Sequence, residues 1–122
     1  MSAHILTVDD SASVRMTTKI AFTNAGYQVT EAVDGLDGLN KAKSASFDLI
    51  VTDLNMPNMN GLEMIEALRQ SPDHTGLPII FLTTESDGDM KARAKAAGAT
   101  GWMTKPFDPE QLVKIARKVL GR

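Results

Sequence analysis

Short apolar segments alternate with helix-forming segments along this chain, and that alternation constrains its fold more than any other feature. Five segments have the apolar character of buried strands, namely residues 4–8, 28–32, 47–52, 77–82 and 100–103. Strands that alternate with helices across short loops form parallel β-α units with right-handed crossovers. Because most of the strands are almost continuously apolar, we expect the sheet to be covered on both faces. The sequence predicts an α/β fold, with a doubly wound five-stranded parallel sheet and five helices.

The segments between the strands carry helix start and stop signals. Ser11 or Ser13 can cap the first helix, Gly26 can end it, and Asp108 followed by Pro109 begins the last one. The fourth helix has mostly alanine on its inner face and is predicted to be the least firmly held. The residues expected to face the core are Val14, Thr17 or Thr18, Ala21 and Ala25 in the first helix, Leu36, Leu39 and Ala42 in the second, Leu62, Ile65 and Leu68 in the third, and Leu112, Ile115, Ala116, Val119 and Leu120 in the fifth.

Composition excludes several classes of function. The chain has 122 residues, 43% of them hydrophobic, a formal net charge of −2 and no cysteine. The balanced charge argues against nucleic-acid binding, no apolar run reaches the ~18 residues of a membrane span, and no signal peptide is visible. The lack of cysteine excludes disulfides and Cys-based zinc sites. We therefore expect residues 1–122 to form a single cytoplasmic domain with no nucleic-acid or membrane partner.

Polar residues follow four of the predicted strands at the point where each strand ends. Asp9 and Asp10 follow the first strand, Asp53 ends the third, Thr83 follows the fourth, and Lys105 comes soon after the fifth. In open α/β sheets the carboxyl ends of the strands lie along one edge, which is where ligands bind. Each residue alone is more often a cap, a packing residue or a solvated charge, but together they predict one polar site.

The residue types at this edge indicate phosphoryl-transfer chemistry. Three carboxylates in a small volume repel one another and need a cation, and a set of oxygen ligands favours Mg²⁺. A carboxylate is also a nucleophile that can form an aspartyl phosphate. A fixed lysine and a hydroxyl group would then bind the remaining phosphate oxygens.

A longer pattern of residues resembles that of a known family. The matching residues are Val8-Asp9-Asp10-Ser11, the segment from Asp53 to Gly61, Thr83-Thr84 and Lys105-Pro106-Phe107. With this set at these spacings, the chain resembles the receiver domains of two-component response regulators along its whole length, and most of all the single-domain, CheY-like members. The resemblance implies a flavodoxin-like strand order of 2-1-3-4-5. It also implies a phosphoprotein that acts as a signalling switch and catalyses only its own phosphorylation and dephosphorylation.

The resemblance also implies a role for each residue of the site. Asp53 would be the phosphoacceptor and would take the phosphoryl group from a histidine kinase. Asp10 and Asp53 would ligate Mg²⁺ directly, Asp9 would act through water, and Asn55 would contribute its backbone carbonyl. Lys105 would contact the phosphoryl group.

Other residues would form the switch and the surface that binds a partner. By the same resemblance, Thr83 moves to bond the phosphoryl group, the Lys105–Pro106 peptide is cis, and Trp102 occupies the position of the switch aromatic, where tyrosine, phenylalanine or histidine is more usual. The fourth helix, the fifth strand and the fifth helix would present the face for a downstream protein. The further candidates for this group are Thr84 and Met90.

Alternatives to a phosphorylated chemotaxis switch remain open. An aspartyl-phosphate phosphatase acting on small phosphate esters typically has a second acid two residues after its nucleophile, where this chain has Asn55. A degenerate receiver would bind partners without phosphorylation, but the complete set of acidic, hydroxyl and lysine residues argues against it. Within the receiver hypothesis, a chemotaxis regulator and a phosphorelay shuttle are equally compatible, since Asp87 and Gly88 stand where motor-binding members carry lysines.

Overall fold

Five strands and five helices alternate along the chain in the order that the sequence predicts. The computed structural model describes residues 3–54, 56–71, 76–83 and 88–121, and only the backbone at 88–90. No helix within these ranges has the length and apolar character needed to cross a membrane. The elements are β1 (His4–Val8), α1 (Ala12–Asn24), β2 (Gln28–Ala32), α2 (Gly35–Ser44), β3 (Leu49–Asp53), α3 (Gly61–Arg69), β4 (Ile79–Thr83), α4 (Gly88–Ala96), β5 (Gly101–Thr104) and α5 (Pro109–Leu120).

The strands form one parallel sheet in the order β2-β1-β3-β4-β5. This order confirms the predicted fold class and topology. The strands β3 and β4 are buried along their whole length, whereas β2, the least apolar strand, lies at an edge. From β1 the chain continues to β2 on one side, and from β3 it continues to β4 and β5 on the other. The topological switch point therefore lies between β1 and β3, and such sheets bind ligands there.

Helices cover both faces of the sheet, and each face has its own hydrophobic core. The core under α2, α3 and α4 includes Leu39, Ile65 and Phe81, and the core under α1 and α5 includes Phe22 and Leu112. All five of these side chains are buried. Two separate cores fix the helices on opposite sides and leave the strand ends between them as the place for polar chemistry.

Two predictions about the helix faces were wrong. Phe22 was not among the residues expected to face the core, yet it is fully buried and, with Thr18, forms the inner face of α1. Leu36 was expected to face inward but is 46% exposed. Since Gly35 and Leu39 lie on the buried face of α2, Leu36 is turned about 100° away from Gly35 around the helix.

The ends of three strands lie one or two residues further along the chain than predicted. The strands β3, β4 and β5 were expected at 47–52, 77–82 and 100–103. Pro78 accepts a hydrogen bond from the Ile50 amide but has no N–H to donate, so the regular part of β4 begins after it. Asp53 and Thr83 are the last residues of their strands.

Polar side chains cap the helices that begin at the carboxyl edge of the sheet. Ser11 caps α1, Asp34 caps α2, Asn60 caps α3 and Asp108 caps α5, each accepting a hydrogen bond from a backbone N–H of the first turn. Of the two residues predicted to cap α1, Ser11 and Ser13, it is Ser11 that forms the cap. These caps fix the loops that surround the strand ends.

One buried hydroxyl group gives a test of the packing. Among the described residues, Thr7 Oγ is buried without a hydrogen-bond partner, whereas Thr52 Oγ donates to the Asp53 carbonyl at 2.9 Å. Because an unsatisfied buried hydroxyl is costly, we expect Thr7→Val to raise the free energy of unfolding by roughly 1 kcal/mol. The matched Thr52→Val should lower it by a similar amount. Urea denaturation measures both, and a destabilised Thr7→Val would contradict the packing described here.

Candidate functional site

The polar residues predicted at the strand ends meet at the carboxyl edge of the sheet. The register of β1 and β3 pairs Val8 with Thr52, so the residues that follow them, Asp9 and Asp53, lie at the same edge of the sheet. Thr83 ends β4, and Lys105 follows β5. The Lys105 amide donates to the Thr83 carbonyl at 2.8 Å, which joins the last two strand ends. The predicted residues therefore share one crevice at the switch point of the sheet.

Three carboxylates form the centre of this crevice. One oxygen from each of Asp9, Asp10 and Asp53 lies within 4.8 Å of the others. Asp9 and Asp53 are buried, whereas Asp10 is exposed. Oxygen ligands so close together suit a hard divalent cation, and a cation relieves the repulsion among them. The donor set therefore fits the Mg²⁺ that the sequence predicts.

Lys105 lies between two of these carboxylates. Its ammonium is 2.8 Å from Asp9 Oδ2 and 3.4 Å from Asp53 Oδ1. Backbone groups hold the same two side chains: the Ser11 amide donates to Asp9 Oδ1 and the Leu54 amide to Asp53 Oδ1, both at 2.8 Å. The contacts of Asp53 with Leu54 and Lys105 are through Oδ1, and no described residue makes a hydrogen bond to Oδ2.

The environment of Asp53 disfavours its charged form. Burial raises the pKa of Asp53 above its ordinary value, and the charge of Asp9 raises it further, against the opposite effect of Lys105. A carboxyl group whose pKa is raised by folding stabilises the fold below its unfolded-state pKa and loses that stabilisation as the pH rises through the folded-state pKa. At neutral pH, ionised Asp53 therefore opposes folding of the metal-free protein, and a bound cation offsets this.

The loop that follows β3 is fastened to the start of α2. Asn58 Nδ2 donates to Asp34 Oδ2 at 2.8 Å, and the Gly35 amide donates to the Met59 carbonyl at 2.9 Å. Hydrogen bonds from the Asp37 amide and from Asn58 lower the pKa of Asp34. Gly35 is needed here because a Cβ would collide with the Met59 carbonyl. No local sequence pattern reveals that Asp34 has a partner 24 residues away.

The structure also places the predicted switch residues on β5 and after it. The Trp102 ring packs against Phe81, with ring centroids 5.7 Å apart, and Lys91 Nζ lies 5.8 Å from the indole centroid. The Trp102 side chain is partly buried against the core that contains Phe81. The Lys105–Pro106 peptide is cis, as the resemblance implies. The predicted site residues outside the described part are Asn55, Thr84 and the side chain of Met90.

Comparison with known families identifies the family of this chain. The family model for the response regulator receiver domain matches residues 5–117. The chain therefore belongs to the response regulator receiver family. Members of that family are signalling switches that bind Mg²⁺ in an acidic cleft, and Asp9, Asp10 and Asp53 form an acidic cluster in this chain.

Individual relatives support the same assignment. The chain is 38% identical over 118 residues to the response regulator ArlR of Staphylococcus aureus, covering 97% of this chain and 52% of ArlR. It thus spans about half the length of the curated relatives it matches. Among solved structures, the chemotaxis protein CheY4 of Vibrio cholerae is 44% identical, with a TM-score of 0.92 and 98% and 99% of the two chains covered. A response regulator of Burkholderia multivorans is 45% identical, with a TM-score of 0.81 and 98% and 95% covered.

The acidic cluster leads to a prediction about stability. A metal that binds only the folded state should stabilise the protein by ~2.7 kcal/mol at 100 times its Kd, so we expect a clear rise in melting temperature with Mg²⁺. In the absence of metal, Asp10→Ala should be at least as stable as wild type, because it relieves repulsion within the cluster. It should also lose most of the response to Mg²⁺.

Glu66→Ala is the matched control for this experiment, since Glu66 is an exposed acid on α3. It removes the same formal charge away from the strand ends and should keep the full Mg²⁺ response. A wild-type melting curve that does not change in millimolar Mg²⁺ would contradict the metal site.

Proposed function

We propose that residues 1–122 form one receiver domain that acts in the cytoplasm as a phosphorylation-activated switch, with Asp53 accepting a phosphoryl group from a histidine kinase. The observation that carries this proposal is the convergence of Asp53 with Asp9, Asp10 and Lys105 in one crevice. Membership of the receiver family supports it. In this role the chain is a switch that catalyses only its own phosphorylation and dephosphorylation.

The reaction follows from the surroundings of Asp53. Its Oδ2 attacks the phosphorus of a phosphohistidine, and the new O–P bond forms as the P–N bond breaks. The imidazole leaves with the electron pair of the P–N bond and takes up a proton. The Leu54 amide at 2.8 Å keeps the other oxygen, Oδ1, in place and so orients the attacking one.

The other residues of the crevice balance the charge of the reaction. Asp10 and Asp53 would hold Mg²⁺ directly, Asp9 through water, and Asn55 through its backbone carbonyl. When bound, Mg²⁺ neutralises negative charge on the carboxylates and the phosphoryl oxygens. Lys105 exchanges its 3.4 Å contact with Asp53 for a phosphoryl oxygen, and the Thr83 hydroxyl donates to another.

The output of the switch is a changed surface for a protein partner. We place that surface on α4, β5 and α5, and Trp102 of β5 adjoins the core beneath α4. The similarity to V. cholerae CheY4 over nearly the whole of both chains favours a chemotaxis regulator. Thr83 and Trp102 lie on the paired strands β4 and β5, so a shift of Thr83 acts directly on the strand that carries Trp102.

The role of Asp53 predicts the outcome of its replacement. Asp53→Asn should abolish hydroxylamine-sensitive phosphorylation by a histidine kinase or a small phosphodonor, because an amide has no anionic oxygen to attack phosphorus. The fold should survive, and the metal-free variant should be at least as stable as wild type. Intact-mass spectrometry and circular dichroism measure the two effects.

Asp108→Asn serves as the control for this replacement. Asn also caps helices well, and Asp108 stands at the N-cap of α5, so this variant should be phosphorylated like wild type. Stoichiometric acyl-phosphate formation in Asp53→Asn would contradict the assignment of the phosphoacceptor.

The proposed coupling between Thr83 and Trp102 can be followed by fluorescence. Trp102 is the only tryptophan, and its indole nitrogen is buried. We expect beryllofluoride with Mg²⁺ to change its emission by drawing Thr83 towards Asp53 and freeing space beside β5. Mg²⁺ alone should have a smaller effect. Thr83→Ala should lose the beryllofluoride-specific part, and an equal response in wild type and Thr83→Ala would refute the coupling.

A further inference from the structure

Arg15 of α1 is an additional cation that reaches the backbone of the acidic cluster. Its guanidinium Nη1 donates to the carbonyl oxygen of Asp9 at 2.6 Å. The side chain is only 17% exposed. A charge-assisted hydrogen bond of this length is among the stronger contacts in a protein. Arg15 therefore fastens the peptide unit that joins Asp9 to Asp10.

The two residues on either side of that peptide unit are held very differently. The Asp9 amide donates to the Ala32 carbonyl at 3.1 Å, and both of its carboxylate oxygens accept hydrogen bonds, one from Ser11 and one from Lys105. The Asp10 carboxylate makes no hydrogen bond to any described residue and is exposed. The direction in which Asp10 projects is therefore set chiefly by its backbone, and the Asp9 carbonyl fixes that backbone.

Arg15 is itself held in place by β2. Its Nε lies 3.5 Å from Glu31 Oε1, while Lys19 pairs with the other oxygen of Glu31 at 3.6 Å. The Glu31 backbone is in turn paired in the sheet, and its carbonyl accepts a hydrogen bond from Lys41 at 2.6 Å. The planar guanidinium can make both contacts at once, to a carboxylate and to a carbonyl, which an ammonium group does less well.

We propose that Arg15 is a positioning residue for the metal site, holding the Asp9–Asp10 peptide so that the Asp10 carboxylate faces Asp53. This inference rests on the proposed function, because it concerns Mg²⁺ at that cluster. The direction of the change in Mg²⁺ affinity distinguishes this role from a purely electrostatic one. Removal of a nearby positive charge would by itself tighten cation binding, whereas loss of ligand positioning weakens it.

The direction of the change in Mg²⁺ affinity can be measured with two variants that remove the same charge. Arg15→Met loses the contact with Asp9, while Lys19→Met removes a cation from the same Glu31 without touching Asp9. Residues that orient metal ligands typically change affinity by 10- to 100-fold, so we expect Arg15→Met to raise the Kd for Mg²⁺ by at least about tenfold. Lys19→Met should bind Mg²⁺ as well as wild type or slightly better. Titration calorimetry gives the values, and circular dichroism of the metal-free proteins checks the fold.

Three further variants keep the test decisive if Arg15→Met does not fold. Arg15→Lys preserves the charge but not the forked geometry, and it should weaken Mg²⁺ binding relative to wild type. Glu31→Gln keeps an oxygen that can accept from Arg15 Nε, so it should retain the wild-type affinity, whereas Glu31→Ala should weaken binding. The inference would be overturned if Arg15→Lys bound Mg²⁺ as tightly as wild type and Glu31→Ala bound it as tightly as Glu31→Gln.

A second readout separates positioning from general damage. Because Arg15 does not touch the phosphoryl group, saturating Mg²⁺ should restore the phosphorylation rate of Arg15→Met to nearly that of wild type. If wild type binds Mg²⁺ and Arg15→Met binds it as tightly as Lys19→Met does, only the role of Arg15 is refuted. If wild type itself binds no Mg²⁺ at this cluster, the proposed function and this inference both fail.

Discussion

Electrostatic repulsion among three carboxylates is the constraint on which the rest of this structure depends. The oxygens of Asp9, Asp10 and Asp53 lie within 4.8 Å of one another, and two of the three residues are buried. Lys105, bonded to Asp9 at 2.8 Å and 3.4 Å from Asp53, relieves part of this repulsion. Burial raises the pKa of Asp53, and the charge of Asp9 raises it further against the opposite effect of Lys105. The metal-free fold thus carries an electrostatic cost that a divalent cation removes.

A cluster that repels itself must be held by contacts outside it. Here those contacts are mostly to the backbone: amides fix the carboxylates of Asp9 and Asp53, and Arg15 fixes the Asp9 carbonyl. The Asn58–Asp34 hydrogen bond fastens the loop after β3 to α2. Arg15 belongs to α1, whereas Ser11, Leu54 and Asn58 lie in the segments that follow β1 and β3, so the repulsion acts against a packed helix as well as against the loops.

The sequence was sufficient for the parts of the structure that depend on short-range pattern. Apolar segments bounded by polar residues predicted all five strands, and the chemistry at their ends predicted the carboxylate cluster that the structure brings together. The sequence was insufficient where a residue contacts a partner that is distant along the chain. No local pattern distinguishes Arg15, because its link to Glu31 depends on the pairing of β1 with β2. Leu36 was misplaced because helical spacing defines a stripe but does not say where the stripe begins.

The same geometry places one lysine between the carboxylate cluster and the end of β4. Lys105 holds the cluster through its side chain, while its amide is bonded to the Thr83 carbonyl. A phosphoryl group at Asp53 would bring oxygens that could accept hydrogen bonds from the Lys105 ammonium and from the Thr83 hydroxyl. The carboxyl ends of β4 and β5 would then be pulled towards the same point. Trp102 lies on β5 against Phe81 of β4, inside the core that these strands share with α4. Because this core is closely packed, a movement at the strand ends has to be accommodated by the aromatic pair or by the helix above it.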